Sequence, residues 1–287
     1  METTQNFNEV VTRLKRKDIR RRVAVVSPHD KSTIEAVKRA SEDGFIEAVM
    51  INDDNLQAAA EQAVTMVQQG TADMIMKGLI PSEILLKAIL RYNGGLLPEG
   101  HLLTHTACAH IPQHPKLLFY TDAAVIPFPT HEQRIQQVQY MTDLCHAMGI
   151  KTPKIALIHC SEEVDERHFP YTAGYTEIVE RAKHGEFGQC VVDGPLDLKT
   201  SCSAESLKVK GIASPIAGDA DVLIFPNIEA GNVFHKTITL FNNAKLASIL
   251  LGTRVPVVLT SRADTTDTKY YSLAVAAALS GAEKQTD

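Results

Sequence analysis

Between Asp221 and Leu279 the chain passes twice in succession through an apolar strand, a polar loop and an apolar helix, and few architectures accommodate that order. The run Asp221 to Phe225, bounded by Pro226, reads as a buried parallel strand. Asn227 to Asn232 forms a polar turn. Asn232 stands at the N-cap position of a helix carrying Val233, Phe234, Ile238 and Phe241 and continuing to Ile249 and Leu250. Gly252 is expected to end that helix, and Val255 to Leu259 forms a second buried strand. The strand feeds Thr260-Ser261-Arg262-Ala263-Asp264-Thr265-Thr266-Asp267, where hydroxyls and carboxylates surround one arginine. Tyr271 to Leu279 is again apolar and helical.

Both polar loops thus fall at strand carboxyl ends, where open α/β sheets bind ligands because helix N-termini present unpaired N–H groups to anions. Ordinary capping accounts for Asn232 and for Thr265 or Thr266. It does not account for Arg262, a cation beside a positive helix end. An anionic ligand would remove that conflict.

The rest of the chain keeps the same alternation. Strands are expected at 23–26, 48–51, 74–76, 117–120, 155–158 and 190–193. Helices are expected at 32–43, 56–69, 81–91, 132–148 and 172–183, the long one spaced for burial through Ile135, Val138, Met141, Leu144 and Cys145. Residues 7–17 form an amphipathic helix with Phe7, Val10, Val11 and Leu14 on one face, and the basic run Arg13 to Arg22 reads as its solvated end. The class is α/β with a mainly parallel sheet. Eight or so strands also fit a (β/α)₈ barrel. Lys151-Thr152-Pro153-Lys154 reads as a crossing between domains.

Composition narrows the function. A net charge of −5, no tryptophan and 6% aromatic residues argue against nucleic-acid binding, which needs a basic face and stacking rings. The polar start and the lack of a long apolar stretch point to a cytoplasmic protein with no membrane partner. Five cysteines form no C-x-x-C pair, and Cys145, Cys160 and Cys190 read as reduced core residues. His101, His105, His110 and His114 sit among Pro98, Gly100, Pro112 and Pro115, which break the helix that an i, i+4 metal site would need; a polar loop is expected there and no metal. The patterns G-x-x-x-x-G-K-[ST], G-x-G-x-x-G and G-x-S-x-G are missing.

The run PNIEAGN and then VPVVLTSRAD…TK closely resembles the carboxyl-terminal part of the phosphate acetyl/butyryltransferase family, with the shorter butyryl-type members the nearer match. The likeness extends to Asp73-Met74-Ile75-Met76-Lys77-Gly78, Thr121-Asp122-Ala123-Ala124, Asp193-Gly194-Pro195 and Ser214 to Asp221. The resemblance implies two α/β/α domains with mainly parallel sheets and an interdomain active-site cleft, as in the isocitrate/isopropylmalate dehydrogenase-like fold. Residues 1–149 with 262–287 would form the first domain and 150–261 the second. It implies reversible transfer of a short acyl group between coenzyme A and inorganic phosphate in a ternary complex. No tightly bound cofactor is implied; coenzyme A is a substrate, the substrates are acyl-CoA and phosphate, and the protein would be a homodimer or higher homo-oligomer. An acetyl-type enzyme, a non-catalytic acyl-CoA or acyl-phosphate binder, and an oxidoreductase on the related cleft fold are the alternatives.

Such chemistry needs a phosphate ligand, a carbonyl partner and a group to take the thiol proton. Arg262 suits the phosphate through paired charge-assisted bonds, its alternative being a salt bridge to Asp264 or Asp267. Ser261 suits the carbonyl or phosphate oxygens. The resemblance places the base on an aspartate shortly after the S-R pair, which here offers Asp267 first and Asp264 next. A thiol of pKa about 8.5 and an aspartate of about 3.9 make full prior transfer unfavourable by roughly 6 kcal/mol, so the proton must leave as sulfur attacks. Lys77 and Gly78 end a strand, supplying charge and close backbone approach. Lys87 and Arg91, one turn apart, are candidates for the phosphates of coenzyme A, with Arg134 a further cation. Glu229, Gly231 and Asn232 form the other loop, where Asn232 either meets substrate or caps its helix.

Overall fold

The first segment, in a computed structural model that describes residues 6–91 and 94–280, begins with α1 (Phe7–Arg16), capped by the Asn6 side chain and burying Phe7, Val10, Val11 and Leu14 as the pattern predicts. Alternation follows through β1 (Arg21–Val26), α2 (Lys31–Glu42), β2 (Ile46–Ile51), α3 (Leu56–Gln68), β3 (Met74–Lys77) and α4 (Ser82–Ile89). The middle segment carries β4 (Thr104–His110), β5 (Leu118–Thr121), α5 (His131–Ala147), β6 (Lys154–Ile158), α6 (Ala173–Lys183), β7 (Val191–Leu196), α7 (Leu198–Cys202), α8 (Ala204–Lys210), β8 (Val222–Ile224) and α9 (Ile228–Phe241). The chain then adds β9 (Lys245–Leu251), β10 (Val257–Val258) and α10 (Thr266–Ser280).

Two units result. One joins Asn6–Leu103 to the chain from Lys245 onward, and the other is Thr104–Ala244. In the first, strands run β2-β1-β3-β10-β9, parallel except for the β10–β9 pair. In the second the order is β4-β5-β8-β6-β7, parallel except for β4–β5. The class is therefore α/β and mainly parallel, as the alternation implies. These bounds differ from the expected 149/150 and 261/262. β5 pairs with β8 and α5 packs on β8, so the stretch 104–149 belongs with the strands that follow it. Residues 1–5 and 281–287 of the expected first domain lie outside the described residues.

Three local expectations are corrected. The helix expected to run to Leu250 ends at Phe241; Asn243 takes a left-handed φ of 50° and the chain turns into β9, six of whose seven residues are buried. An unbroken apolar run has no period to separate strand from helix, and the Asn242-Asn243 pair is the punctuation. The expected loop around His105 is instead β4. Two of its buried donors are met by Asp122, which accepts from Thr104 Oγ1 at 2.8 Å and from the His105 N–H at 2.9 Å. Finally, Cys160 is exposed rather than part of the core. No helix among the described residues is long and apolar enough to cross a membrane.

Candidate functional site

Three neighbouring parallel strands, β1, β3 and β10, end together in the first unit. Val26 stands opposite Lys77 and Val258 opposite Met76, so Ser27, Gly78 and Thr260 all lie just beyond the sheet edge. Each strand then turns toward a helix, α2, α4 and α10 respectively. The Gly78 and Leu79 N–H groups donate to the Val26 and Ser27 carbonyls at 2.8 and 2.7 Å. A Cβ on Gly78 would fall 2.4 Å from the Ser27 oxygen. Its bare backbone is thus required by packing against β1, before any ligand is considered.

The polar groups at this edge are unevenly paired. Lys269 of α10, almost wholly buried, donates to Asp30 Oδ1 at 2.6 Å and to the Ser32 and Thr33 hydroxyls. Against the upward push of burial, the bonds that Asp30 accepts from Lys269, Thr33 and Ser32 hold its carboxyl well below the usual carboxylate range. Lys77 is only 3% exposed, yet among the described residues it has no carboxylate within ion-pair distance; its ammonium reaches the Gly78 carbonyl at 3.3 Å. Burial first, then the charges of Arg262 and Lys269, push its pKa down. Ser27 Oγ and Thr260 Oγ1 are buried hydroxyls with no hydrogen-bond partner among the described residues.

Arg262 is exposed and, among the described residues, pairs with neither neighbouring aspartate. Asp264 Oδ2 accepts from the Ser261 N–H at 2.7 Å, closing the loop on itself. Asp267 accepts from Arg39 Nη1 at 2.8 Å, and that guanidinium lies 3.8 Å over the Tyr270 ring. Among the described residues Ser261 Oγ has only the Ala263 N–H at 3.4 Å. Thr265 caps α10, its hydroxyl accepting from the Thr268 N–H. Two cations, the buried Lys77 and the exposed Arg262, therefore stand close enough to repel each other, with no anion held by either among the described residues. Such an arrangement favours a bound anion.

The remaining sequence candidates divide between the units. Lys87 and Arg91 line a cavity of about 350 Å³, shared with Gln57, Glu61, Ala88 and Leu90. Arg91 there pairs with Glu61 at 3.5 Å. In the second unit, Arg134 is buried, donating to the Pro226 carbonyl at 2.9 Å and lying 5.0 Å from the Tyr171 ring centroid. Asn227, not Asn232, caps α9, accepting from the Ala230 N–H at 2.9 Å. Asn232 instead donates to the Ala123 carbonyl at 3.0 Å. A Cβ on Gly231 would meet the Asp122 carbonyl at 2.1 Å, and Glu229 is exposed. No group of three or more His, Cys, Asp or Glu side chains among the described residues is placed to hold a metal.

Sequence reasoning missed Ser27, Thr260 and the Lys269–Asp30 pair. A signal existed for Lys269, a charge at the start of an otherwise apolar helical run. Nothing local distinguishes Ser27 or Thr260 from ordinary turn residues.

Comparison with known proteins places the chain among related sequences. The family profile described as Phosphate acetyl/butaryl transferase matches residues 52–277. A phosphate butyryltransferase of Clostridium acetobutylicum is 36% identical, over 96% of this chain and 99% of that protein. A phosphate acetyltransferase of Thermotoga maritima is 35% identical over 90% and 94%. Among solved structures, a branched-chain phosphotransacylase from Enterococcus faecalis V583 superposes with a TM-score of 0.79 at 30% identity, covering 91% of this chain and 99% of that one.

Proposed function

The chain belongs to the phosphate acetyl/butyryl transferase family, and from that premise we propose that it transfers a short acyl group, butyryl or similar, between coenzyme A and inorganic phosphate. The observation that carries this reading is a pair of cations, Lys77 and Arg262, without an ion-pair partner among the described residues, at the shared edge of three parallel strands. Phosphate or the phosphoryl end of an acyl phosphate is a ligand of matching charge. Arg262 takes two of its oxygens through the planar guanidinium, free to do so because neither neighbouring aspartate competes. Ser261, whose hydroxyl makes only one long contact among the described residues, donates to the carbonyl oxygen as it gains charge. Asp264 holds the loop that carries both residues.

Lys87 and Arg91, at the cavity on α4, are the proposed contacts for the anionic groups of coenzyme A. Glu229, Gly231, Asn232 and Arg134 belong to the other unit, where the contacts above tie the last three into its packing, and their part in this reading is to shape that unit. A homodimer working in the cytoplasm completes the proposal. Phosphate-dependent release of coenzyme A from acetyl-, butyryl- and isobutyryl-CoA, followed with a thiol reagent, tests it. Release that requires phosphate and is fastest with the four-carbon substrates is expected; release from acetyl-CoA alone would make the acetyl reading the better one, and no release from any of the three would overturn acyl transfer.

A further inference from the structure

Acyl transfer from phosphate to sulfur frees one proton and needs one. The thiol proton departs as the S–C bond forms, and the phosphate oxygen must gain a proton as the C–O bond breaks if the product is the hydrogen phosphate dianion. Both bonds are made to the same carbon, so sulfur and oxygen lie within reach of a single group. We propose, resting on the acyl-transfer reading above, that Lys77 is the catalytic residue that carries this proton: its neutral amine takes it from the coenzyme A sulfur, and the resulting ammonium delivers it to the departing phosphate oxygen. In the opposite direction the same atoms move in reverse, and the lysine ends each turnover as it began.

The placement of the charges supports this assignment. Lys77 terminates the middle one of three parallel strands, and the hydroxyls of Ser27 and Thr260, without a partner among the described residues, lie just beyond the ends of the strands on either side. The charged groups facing it are Arg262 and Lys269, both cations, and Asp30 and Asp264. Both carboxylates push its basicity back up, but by less than burial and the two cations lower it, and neither forms an ion pair with it among the described residues. Asp30 is held by Lys269 at 2.6 Å and Asp264 by the Ser261 N–H at 2.7 Å. Burial, with two cations close by, disfavours the charged form of this amine and lowers its basicity. Carboxylates suit the task less well: an aspartate lies roughly 4–5 pKa units below a thiol, and Asp267 is exposed and occupied by Arg39. Proton transfer is most effective between groups of similar basicity near the working pH.

The test is the pH dependence of kcat and KM for butyryl phosphate and coenzyme A in wild type and in Lys77→Arg and Lys77→Gln. Wild-type turnover is the control for the reading on which the proposal rests; without it both fall. Arginine keeps the charge and holds its proton, so kcat is expected to drop by about 10²-fold or more with little change in KM for the acyl phosphate. Lys77→Gln is expected to lose kcat similarly while also weakening acyl-phosphate binding. Thermal melts establish that each variant folds. Lys77→Cys treated with 2-bromoethylamine restores an amine of lower basicity, and its activity is expected to return with the acid limb of the profile moved to lower pH; identically treated wild type controls for the other cysteines. Wild-type kcat in Lys77→Arg, or an aminoethylated protein whose acid limb stays in place, would overturn the assignment while leaving acyl transfer intact.

Discussion

In the loop that leads from β8 into α9, nearly every polar group serves the fold. Asn227 caps the helix, Asn232 holds the Ala123 carbonyl, and Gly231 leaves room for the Asp122 carbonyl. The loop that leads from β10 into α10 is different. Among the described residues Arg262 has no anion, Thr260 Oγ1 has no partner, and the neighbouring Lys77 is buried without a carboxylate. Both loops read alike in sequence, as polar turns at a strand's carboxyl end. What separates them is how much hydrogen-bonding and charge capacity is left once the protein has folded, and a ligand is needed only where some is left.

The largest expected effect falls on the second of these loops. Arg262→Ala should reduce phosphate-dependent turnover by about 10²–10³-fold while leaving the melting temperature close to wild type, because Arg262 holds no ion pair among the described residues. A large fall in melting temperature would show that this loop is tied into the fold as firmly as its counterpart. Gly231→Ala is the converse, since its Cβ would press on the Asp122 carbonyl; a loss of about 3 kcal/mol in urea unfolding is expected.

An acid sensitivity belongs to the α9 side of the comparison. His235 of α9 bonds Tyr120 OH through Nδ1 at 2.8 Å, and burial, then the charge of His105, takes its pKa from 6.5 to about 4. The unfolded chain therefore binds this proton first, so the stabilisation is full above about pH 6.5 and is lost as pH falls toward 4. Urea midpoints measured across that range should decline in wild type and flatten in His235→Gln.

Asn232→Ala should cost about 1 kcal/mol of stability through the bond to Ala123, with turnover changed no more than the lost stability explains. A greater loss of activity would make that loop a substrate contact as well. The smallest effect is expected for Asp267→Asn, which weakens an exposed pair with Arg39 by about 0.5 kcal/mol and leaves turnover close to wild type. A hundredfold loss there would return the proton to the aspartate.

Much of this is legible in the residues because local chemistry and final structure agree. The alternation of apolar runs with helical periods gives the class, and α1, α2 and α3 follow caps and stripes visible in the chain. Arg262 stands out because a cation at a helix start conflicts with the dipole. The Lys245–Leu251 run reads as helix from its residues, yet it is a strand buried along nearly its whole length, and such a run shows no period. The strand at 104–110 is hidden because Thr and His look like loop residues until Asp122, beyond the next strand, accepts from the buried Thr104 hydroxyl and His105 N–H.

By itself the sequence determined the order of most elements and which segments must be buried, since both follow from residue spacing within a few turns of chain. The tertiary structure alone decided which polar residues remain unsatisfied. That Asp30 answers Lys269, that Asp264 bonds the Ser261 N–H and Asp267 bonds Arg39, and that Lys77 has no ion-pair partner among the described residues are outcomes of how separate strands, loops and helices pack. Local spacing carries no information about such pairings, because burial and partner choice are fixed only when those elements come together.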